Sequence, residues 1–440
     1  MVVAAAMILV GCQAPIRSAP EGAIGASIGA PIGTEALLKR HHLSGARAGF
    51  LLFDLNNGDR VSARNENEAF IPASTAKVPT TVAALNILGP GYRFQTRLLV
   101  NGELKDGVLS GDLYLKGGGD PLLSPQDLMG LAGQLGDVGI SRISGRFYFD
   151  TSFLKSIRQI EPNQPDDARY NPGLGALSLD FNQILNRQAG GQDNEYLPVH
   201  KPGLRAAQVF RMMARLVGVE LPEPTAAITP NDARVLARIN SAALVDIVRL
   251  ALQHSNNMVA ELIGQVAARK IGGRALDLTE SSAVLNNWLK DRLVATSWDG
   301  FHLPNHSGLT SKARVTPSQM ASIIRFAAHQ RFGGWRYLSL LPVSGFRESF
   351  RSRFRGPAAE LRVWAKTGTL KYAKGITGIM FTNSDRNLAF ALYVTDFKKR
   401  KAYDEPGAAK TPGIESLAEK WIGRAEAFEE DLIREWIAGF

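Results

Sequence analysis

At 440 residues, 45% hydrophobic and 21% charged, the chain has the makeup of a folded globular protein of two or three domains, which excludes a disordered or fibrous class. A net charge of +10 suits anionic partners, but the densest basic run, Lys398-Lys-Arg-Lys401, carries no interleaved aromatics. Nucleic acid is therefore not an expected partner, and a membrane surface or a carboxylate-rich polymer remains. The lone cysteine, Cys12, rules out an internal disulfide and any multi-cysteine metal site.

Val2 to Val10 is apolar but too short to span a bilayer, so it reads as the core of a signal peptide, although the usual basic leader is missing. Leu9-Val-Gly-Cys12 resembles a bacterial lipobox, which makes residues 1–12 a signal segment, Cys12 the expected lipidation site and a lipid anchor the expected link to the membrane. Gln13 after the cysteine fits sorting to an outer membrane. Residues 13–35 are rich in Ala, Gly, Pro and Ser and read as a flexible tether. A short helix is expected from Thr34, a buried strand over Ala48–Leu55, a turn at Asn57-Gly58 and a return strand over Arg60–Arg64. Ile71-Pro-Ala-Ser-Thr-Ala-Lys77 then runs into an apolar helix stopped by Gly89-Pro90-Gly91.

From Arg97 the pattern changes to short strands and turns. Strands are expected at Leu98–Val100, Gly111–Leu115, Phe147–Asp150 and Ala176–Phe181, with a turn at Asn101-Gly102 and helices over Pro125–Leu135 and Ala206–Val217. Gly117-Gly-Gly-Asp-Pro121 lacks the Gly-Lys-Ser/Thr of a phosphate loop and reads as a turn. A long amphipathic helix is expected to open at Asn240-Ser241 and end near His254, with Ser255-Asn-Asn257 in the break before a helix over Met258–Ala268. A strand over Leu361–Gly368, a hairpin of Ile376–Thr382 and Asn387–Thr395, and an amphipathic helix over Ile414–Ile437 packed on that sheet complete the chain.

Three short motifs carry chemistry. In Ser74-x-x-Lys77 a hydroxyl and an amine lie one helical turn apart, and a desolvated lysine can serve as base for a serine nucleophile. Ser255-x-Asn257 occupies an inter-helix loop, and Lys366-Thr-Gly368 lies on a strand. Singly, each motif is as well explained by a helix cap or a strand end. Together and in this order they resemble the penicilloyl-serine transferase superfamily of serine β-lactamases and penicillin-binding proteins. His302 and His306 have helical spacing, but Pro304 lies between them and no Glu stands nearby, so no metal is expected, nor any cofactor.

Further segments narrow the resemblance. Pro72-Ala-Ser74, Leu88-Gly-Pro-Gly-Tyr-Arg-Phe94, Gly111–Leu115 with Gly117–Pro121, Ala176-Leu-Ser178, Leu341-Pro-Val-Ser-Gly345 and Ala365-Lys-Thr-Gly-Thr-Leu370 are similar to the class C low-molecular-mass penicillin-binding proteins, D-alanyl-D-alanine carboxypeptidases and endopeptidases of peptidoglycan. The chain departs from that pattern at Asn305-His-Ser-Gly-Leu-Thr310, where Asp-Gly-Ser-Gly-Leu-Ser is usual, and at Arg347-Glu-Ser-Phe350. The resemblance implies an α+β fold, a transpeptidase-like domain with an antiparallel sheet flanked by helices (36–96 and 240–440), interrupted by a smaller α+β insertion (97–239). The stretch after Phe181 is short, so an inner nested domain is expected to be absent.

For the site, the resemblance implies that Ser74 attacks the D-Ala-D-Ala carbonyl while Lys77 takes its proton. Ser255 would relay a proton to the leaving amine, Asn257 would hold the substrate amide and Lys77, and Lys366 would keep Lys77 neutral. Lys366, Thr367 and Thr369 would bind the terminal carboxylate, and the backbone amides of Ser74 and Thr369 would form the oxyanion hole. Gly368 would let substrate approach the strand edge. Stem peptides are the implied substrate and β-lactams the implied inhibitors. The competing readings are a β-lactamase or esterase on the same scaffold and a non-catalytic wall-binding lipoprotein.

Overall fold

The computed structural model describes residues 33–186, 196–346, 350, 353–408 and 411–440; the signal segment, Cys12 and most of the tether lie outside them. The chain opens with α1 (Thr34–Arg40), β1 (Arg47–Asp54) and β2 (Arg60–Arg64), and a 3-10 turn at Ala73–Ala76 runs into α2 (Lys77–Leu88). It continues with β3 (Gln95–Lys105), β4 (Val108–Lys116), α3 (Pro125–Asp137), β5 (Arg142–Ile143), β6 (Phe147–Asp150), β7 (Gln183–Leu185), β8 (Tyr196–Pro198), α4 (Pro202–Leu216), β9 (Pro224–Ala226) and β10 (Arg234–Asn240). Helices α5 (Leu244–Gln253), α6 (Asn257–Gly272), α7 (Leu278–Arg292) and α8 (Pro317–Ala328) follow. A small hairpin of β11 (Arg331–Phe332) and β12 (Trp335–Arg336) precedes β13 (Val363–Leu370), β14 (Ala373–Phe381), β15 (Asn387–Thr395), α9 (Phe397–Asp404) and α10 (Ile414–Gly439).

Two sheets carry the fold. The first has the order β13-β14-β15-β1-β2, antiparallel throughout, so early and late strands of the described residues share one sheet and β13 is left as an edge. Strand β15 shows how it is covered on both faces. Leu388, Phe390, Leu392 and Val394 enter the core shared with α1 and α10, while Ala389, Ala391 and Tyr393 enter the core shared with α2, α5, α6 and α8. Period-two alternation distributes them, and the small alanines leave room for a helix on their side. Helix α10 contributes buried Trp421, Phe428, Leu432, Ile433 and Trp436, each worth about 1.5–3 kcal/mol of burial. The second sheet, β10-β3-β4-β6-β9 with β5 beside β4, packs α3 and α4 over a separate apolar cluster.

Local chemistry sets the helix starts. Reciprocal capping boxes open α3 (Ser124 with Asp127), α7 (Asp277 with Glu280) and α8 (Thr316 with Gln319), and Pro125 and Pro317 occupy first-turn positions where no amide donor is needed.

Three sequence expectations fail here. Asn101-Gly102 is not a turn: β3 runs on to Lys105, and Asp106 and Gly107, both at positive φ, reverse the chain. Gly102 and Gly111 are paired across the strands, where a Cβ on Gly111 would lie 1.7 Å from Asn101 O, so these glycines serve close approach. Ala176–Phe181 forms no strand; it makes one bridge from Leu177 to Asp120 and then a turn held by Asn182, whose Nδ2 donates to Gly173 O at 2.7 Å and Ser178 Oγ at 3.0 Å. The helix expected to open at Asn240 begins at Leu244, because Arg234–Asn240, for which no element was expected, forms β10 and pairs with β3.

Candidate active site

Ser74 sits in the 3-10 turn ahead of α2 and lines a cavity of roughly 1570 Å³. The preceding Ala73 is left-handed (φ 46°), and its carbonyl is so close to Gly308 that a Cβ there would lie 1.9 Å away. Strain of this kind persists only where the surroundings fix it, here by the 305–308 loop packed against the turn. One helical turn on, Lys77 is fully buried, and its Nζ lies 2.9 Å from Ser74 Oγ, 2.7 Å from Asn257 Oδ1 and 3.0 Å from Ser307 O. A neutral amine has two hydrogens and one lone pair. Asn257 Oδ1 and Ser307 O can accept only the hydrogens, which leaves the lone pair to the Ser74 hydroxyl. Burial, and after it the charge of Lys366, pushes the Lys77 amine well below its ordinary range, while Glu261 pulls the other way. Of the two causes the sequence suggested, desolvation thus ranks ahead of lysine–lysine repulsion.

The second motif lies between α5 and α6, and its middle residue does the capping: Asn256 Oδ1 accepts from Val259 N at 3.1 Å. That leaves its neighbours for the site. Ser255, held left-handed at φ 54°, accepts from Lys366 Nζ at 2.9 Å. Asn257 accepts from Lys77 and donates one of its two Nδ2 hydrogens to Tyr170 O at 3.0 Å, on the wall of the groove.

The third motif lies on edge strand β13. Lys366 is buried and also donates to Thr367 O at 2.7 Å; burial and the nearby Lys374 charge lower it to about 7. A third donor remains on its ammonium form. Thr369 is exposed and lines the cavity. Gly368 has a task that was not expected: a Cβ there would lie 2.4 Å from Pro72 O and 2.9 Å from Ser74 N, so its missing side chain lets the Ser74 turn pack on the strand.

Four contributors were not singled out from sequence. Glu261, buried on α6, accepts from His306 N at 3.0 Å and Ser307 N at 2.9 Å, pinning the loop whose carbonyl holds Lys77. An acid inside Met-Val-Ala-Glu-Leu-Ile-Gly was the available signal, since a buried charge needs partners. Ser307 and Tyr170 act through backbone carbonyls and leave no side-chain signal. Lys374, on β14 opposite Thr369, donates to Thr369 Oγ1 at 2.6 Å and to Glu426 Oε1 at 2.7 Å. Of the two histidines, His306 is buried against Ser281 and burial lowers it to about 3, while His302 bridges to Arg314 through backbone. Among the described residues no three His, Cys, Asp or Glu side chains are grouped to hold a metal, and no helix is long and apolar enough to cross a membrane.

Comparison with known proteins gives the lineage. The chain is 23% identical over 420 residues to the D-alanyl-D-alanine carboxypeptidase DacB of Haemophilus influenzae (80% of this chain, 86% of that protein) and 25% identical over 439 residues to a D-alanyl-D-alanine carboxypeptidase of an Actinomadura species (81% and 79%). In fold it is similar to penicillin-binding protein 4 of Haemophilus influenzae, with a TM-score of 0.78, 21% identity, and coverage of 92% of this chain and 100% of that one. A predatory endopeptidase of Bdellovibrio bacteriovorus, solved with an immunity protein, is more distant at a TM-score of 0.54 and 18% identity, covering 86% and 94%. These likenesses agree with the α+β architecture of an antiparallel sheet flanked by helices. The model of the D-Ala-D-Ala carboxypeptidase 3 (S13) family matches residues 33–195 and 179–411, and the chain belongs to that family.

Proposed function

We propose that the protein is a serine-type D-Ala-D-Ala hydrolase of peptidoglycan, a carboxypeptidase, an endopeptidase or both, working through an acyl-Ser74 intermediate and trapped by β-lactams. The observation that carries the reading is the fully buried Lys77, with two acceptors for its hydrogens and its remaining valence on Ser74 Oγ at 2.9 Å. Lys77 takes the Ser74 proton as the hydroxyl attacks the penultimate D-alanine carbonyl. Ser255, accepting from Lys366, keeps its own hydrogen to pass to the leaving amine. Lys366, Thr367 and Thr369 receive the terminal carboxylate, and the amides of Ser74 and Thr369 receive the oxyanion. Water then releases the acyl group.

The same reading places the chain in the cell envelope, exported by residues 1–12 and anchored through lipid on Cys12 to the outer membrane. Residues 97–239 act as an insertion whose Glu161–Tyr170 segment walls one side of the groove, facing α9 and α10 on the other.

The test is to incubate the protein and Ser74→Ala with a fluorescent penicillin, and then with a pentapeptide ending in D-Ala-D-Ala. A stable covalent label and D-alanine release, both lost in Ser74→Ala, are expected. No label on the wild type overturns the reading. Rapid loss of label with penicillin turnover moves the assignment to a β-lactamase.

A further inference from the structure

The edge strand that carries Lys366 has a second, deeper lysine behind it. Thr369 and Lys374 form a cross-strand pair between β13 and β14, so their side chains leave the sheet on the same side, toward α10. Thr369 is exposed to the groove while the Lys374 side chain is 1% exposed. The Lys374 ammonium reaches Thr369 Oγ1 at 2.6 Å and Glu426 Oε1, on α10, at 2.7 Å.

An ammonium only donates, so Thr369 Oγ1 is the acceptor in this contact and the hydroxyl's own hydrogen must point elsewhere. With the sheet side occupied by Lys374, the groove is the open direction. A threonine rotor that would otherwise sample several orientations is thereby fixed as a donor toward bound substrate. The charge adds to this. Lys374 also acts electrostatically on Lys366, so its charge is felt at the third motif. The charged groups facing Lys374 are Lys366 from β13 and Glu426 and Glu429 from α10, the last two shared with Arg353. Glu426 balances the lysine charge from α10.

We propose that Lys374 is a positioning residue for carboxylate recognition: supported by Glu426 on the C-terminal helix, it locks the Thr369 hydroxyl as a donor into the groove and makes the site selective for acyl donors that end in a free carboxylate. This rests on the reading of Ser74 as an acylated nucleophile, and it adds α10, distant in sequence from all three motifs, to the site. Lys374 touches no substrate in this scheme and acts through Thr369.

The test compares a thioester ending in a D-alanine-like carboxylate with its carboxamide analogue, on wild type, Lys374→Met, Lys374→Arg and Glu426→Gln, each checked for thermal unfolding. A charge-assisted hydrogen bond of ordinary strength corresponds to about 10- to 100-fold in rate or affinity. Lys374→Met is therefore expected to lower kcat/KM for the carboxylate about 10- to 100-fold, mainly through KM, while the carboxamide changes less than about threefold. Lys374→Arg, which keeps a cationic donor, restores much of the preference, and Glu426→Gln, which keeps the lysine charge, retains it. Equal losses on both substrates mean a merely structural role and overturn the proposal, as does an unchanged preference in folded Lys374→Met. Should Lys374→Met not fold, loss of the carboxylate preference in Lys374→Arg overturns it. A wild type that neither substrate acylates overturns the acyl-serine reading itself and this proposal with it.

Discussion

The groove has two sides, each built around a fully buried lysine, and they differ in what surrounds the amine. On the helical side, Lys77 faces a serine hydroxyl, an amide oxygen and a backbone carbonyl, with Glu261 behind the loop. On the strand side, Lys366 faces a serine hydroxyl and a carbonyl and keeps one donor uncommitted. Burial depresses both, but the charge acting on Lys77 is that of Lys366, whereas the charge acting on Lys366 is that of Lys374. On the function proposed above, the same side chain serves as a base on one side and as a cation on the other. What separates the roles is the number of committed acceptors and the order in which the charges lie.

The most direct way to break this comparison is to remove the base. Lys77→Met is expected to lower the acylation rate by about 10²–10⁴-fold, the usual contribution of a general base. It should also cost stability, because Asn257 Oδ1 and Ser307 O each lose a buried donor at about 1–3 kcal/mol, so folding of the variant is checked first. Rapid labelling of a folded Lys77→Met variant by fluorescent penicillin would assign the base elsewhere.

A pH profile of the wild type tests the contrast between the two amines. Below the depressed Lys77 value the amine is protonated and cannot take the Ser74 proton, so kcat/KM falls toward acid. Above about 7 Lys366 loses its charge in the free enzyme, and binding of a carboxylate weakens. The result is a bell whose alkaline limb lies near 7. In stability the sign is opposite to that of an ordinary ion pair. Lys366 binds its proton less tightly folded than unfolded, so its contribution improves as pH rises from about 7 toward the unfolded lysine value of about 10.4. In urea titrations, the stability gained by Lys366→Met over wild type should therefore shrink across that window; a constant difference would mean that Lys366 keeps its proton throughout.

How much of this was legible in the sequence follows from where the information sits. The three motifs are side-chain signals, and the structure brings Ser74, Lys77, Asn257 and, through Lys366, Ser255 to one groove. Helix starts were legible for the same reason, since caps and prolines act within one turn. Long-range backbone geometry was not. The packing task of Gly368 was hidden because its neighbour, Pro72, is almost three hundred residues away, and Gly102 looked like a turn because its tight partner is Gly111 on the facing strand. The Lys374–Thr369 contact depends on strand register, and register requires knowing the pairing, whereas Glu261 could have been found from a charge in an apolar helix face.

That residue gives the finest test of the two-lysine comparison. Each Glu261 oxygen accepts one backbone hydrogen, from His306 and from Ser307. Glu261→Gln keeps one acceptor and turns an NH2 toward the other amide, so a buried donor loses its partner at a cost of about 1–3 kcal/mol. The substitution also removes the negative charge that favours protonated Lys77. With that opposition gone, burial and Lys366 act alone, Lys77 loses its proton at lower pH, and the acid limb of kcat/KM should move toward acid while the alkaline limb set by Lys366 stays in place. A loosened 305–308 loop would instead reduce the rate at every pH, because Ser307 O would no longer hold Lys77 in register with Ser74. Movement of one limb alone therefore separates the electrostatic role of Glu261 from its structural one, and a shift of both limbs together would show that the two lysines titrate as a single coupled unit rather than as a base and a cation.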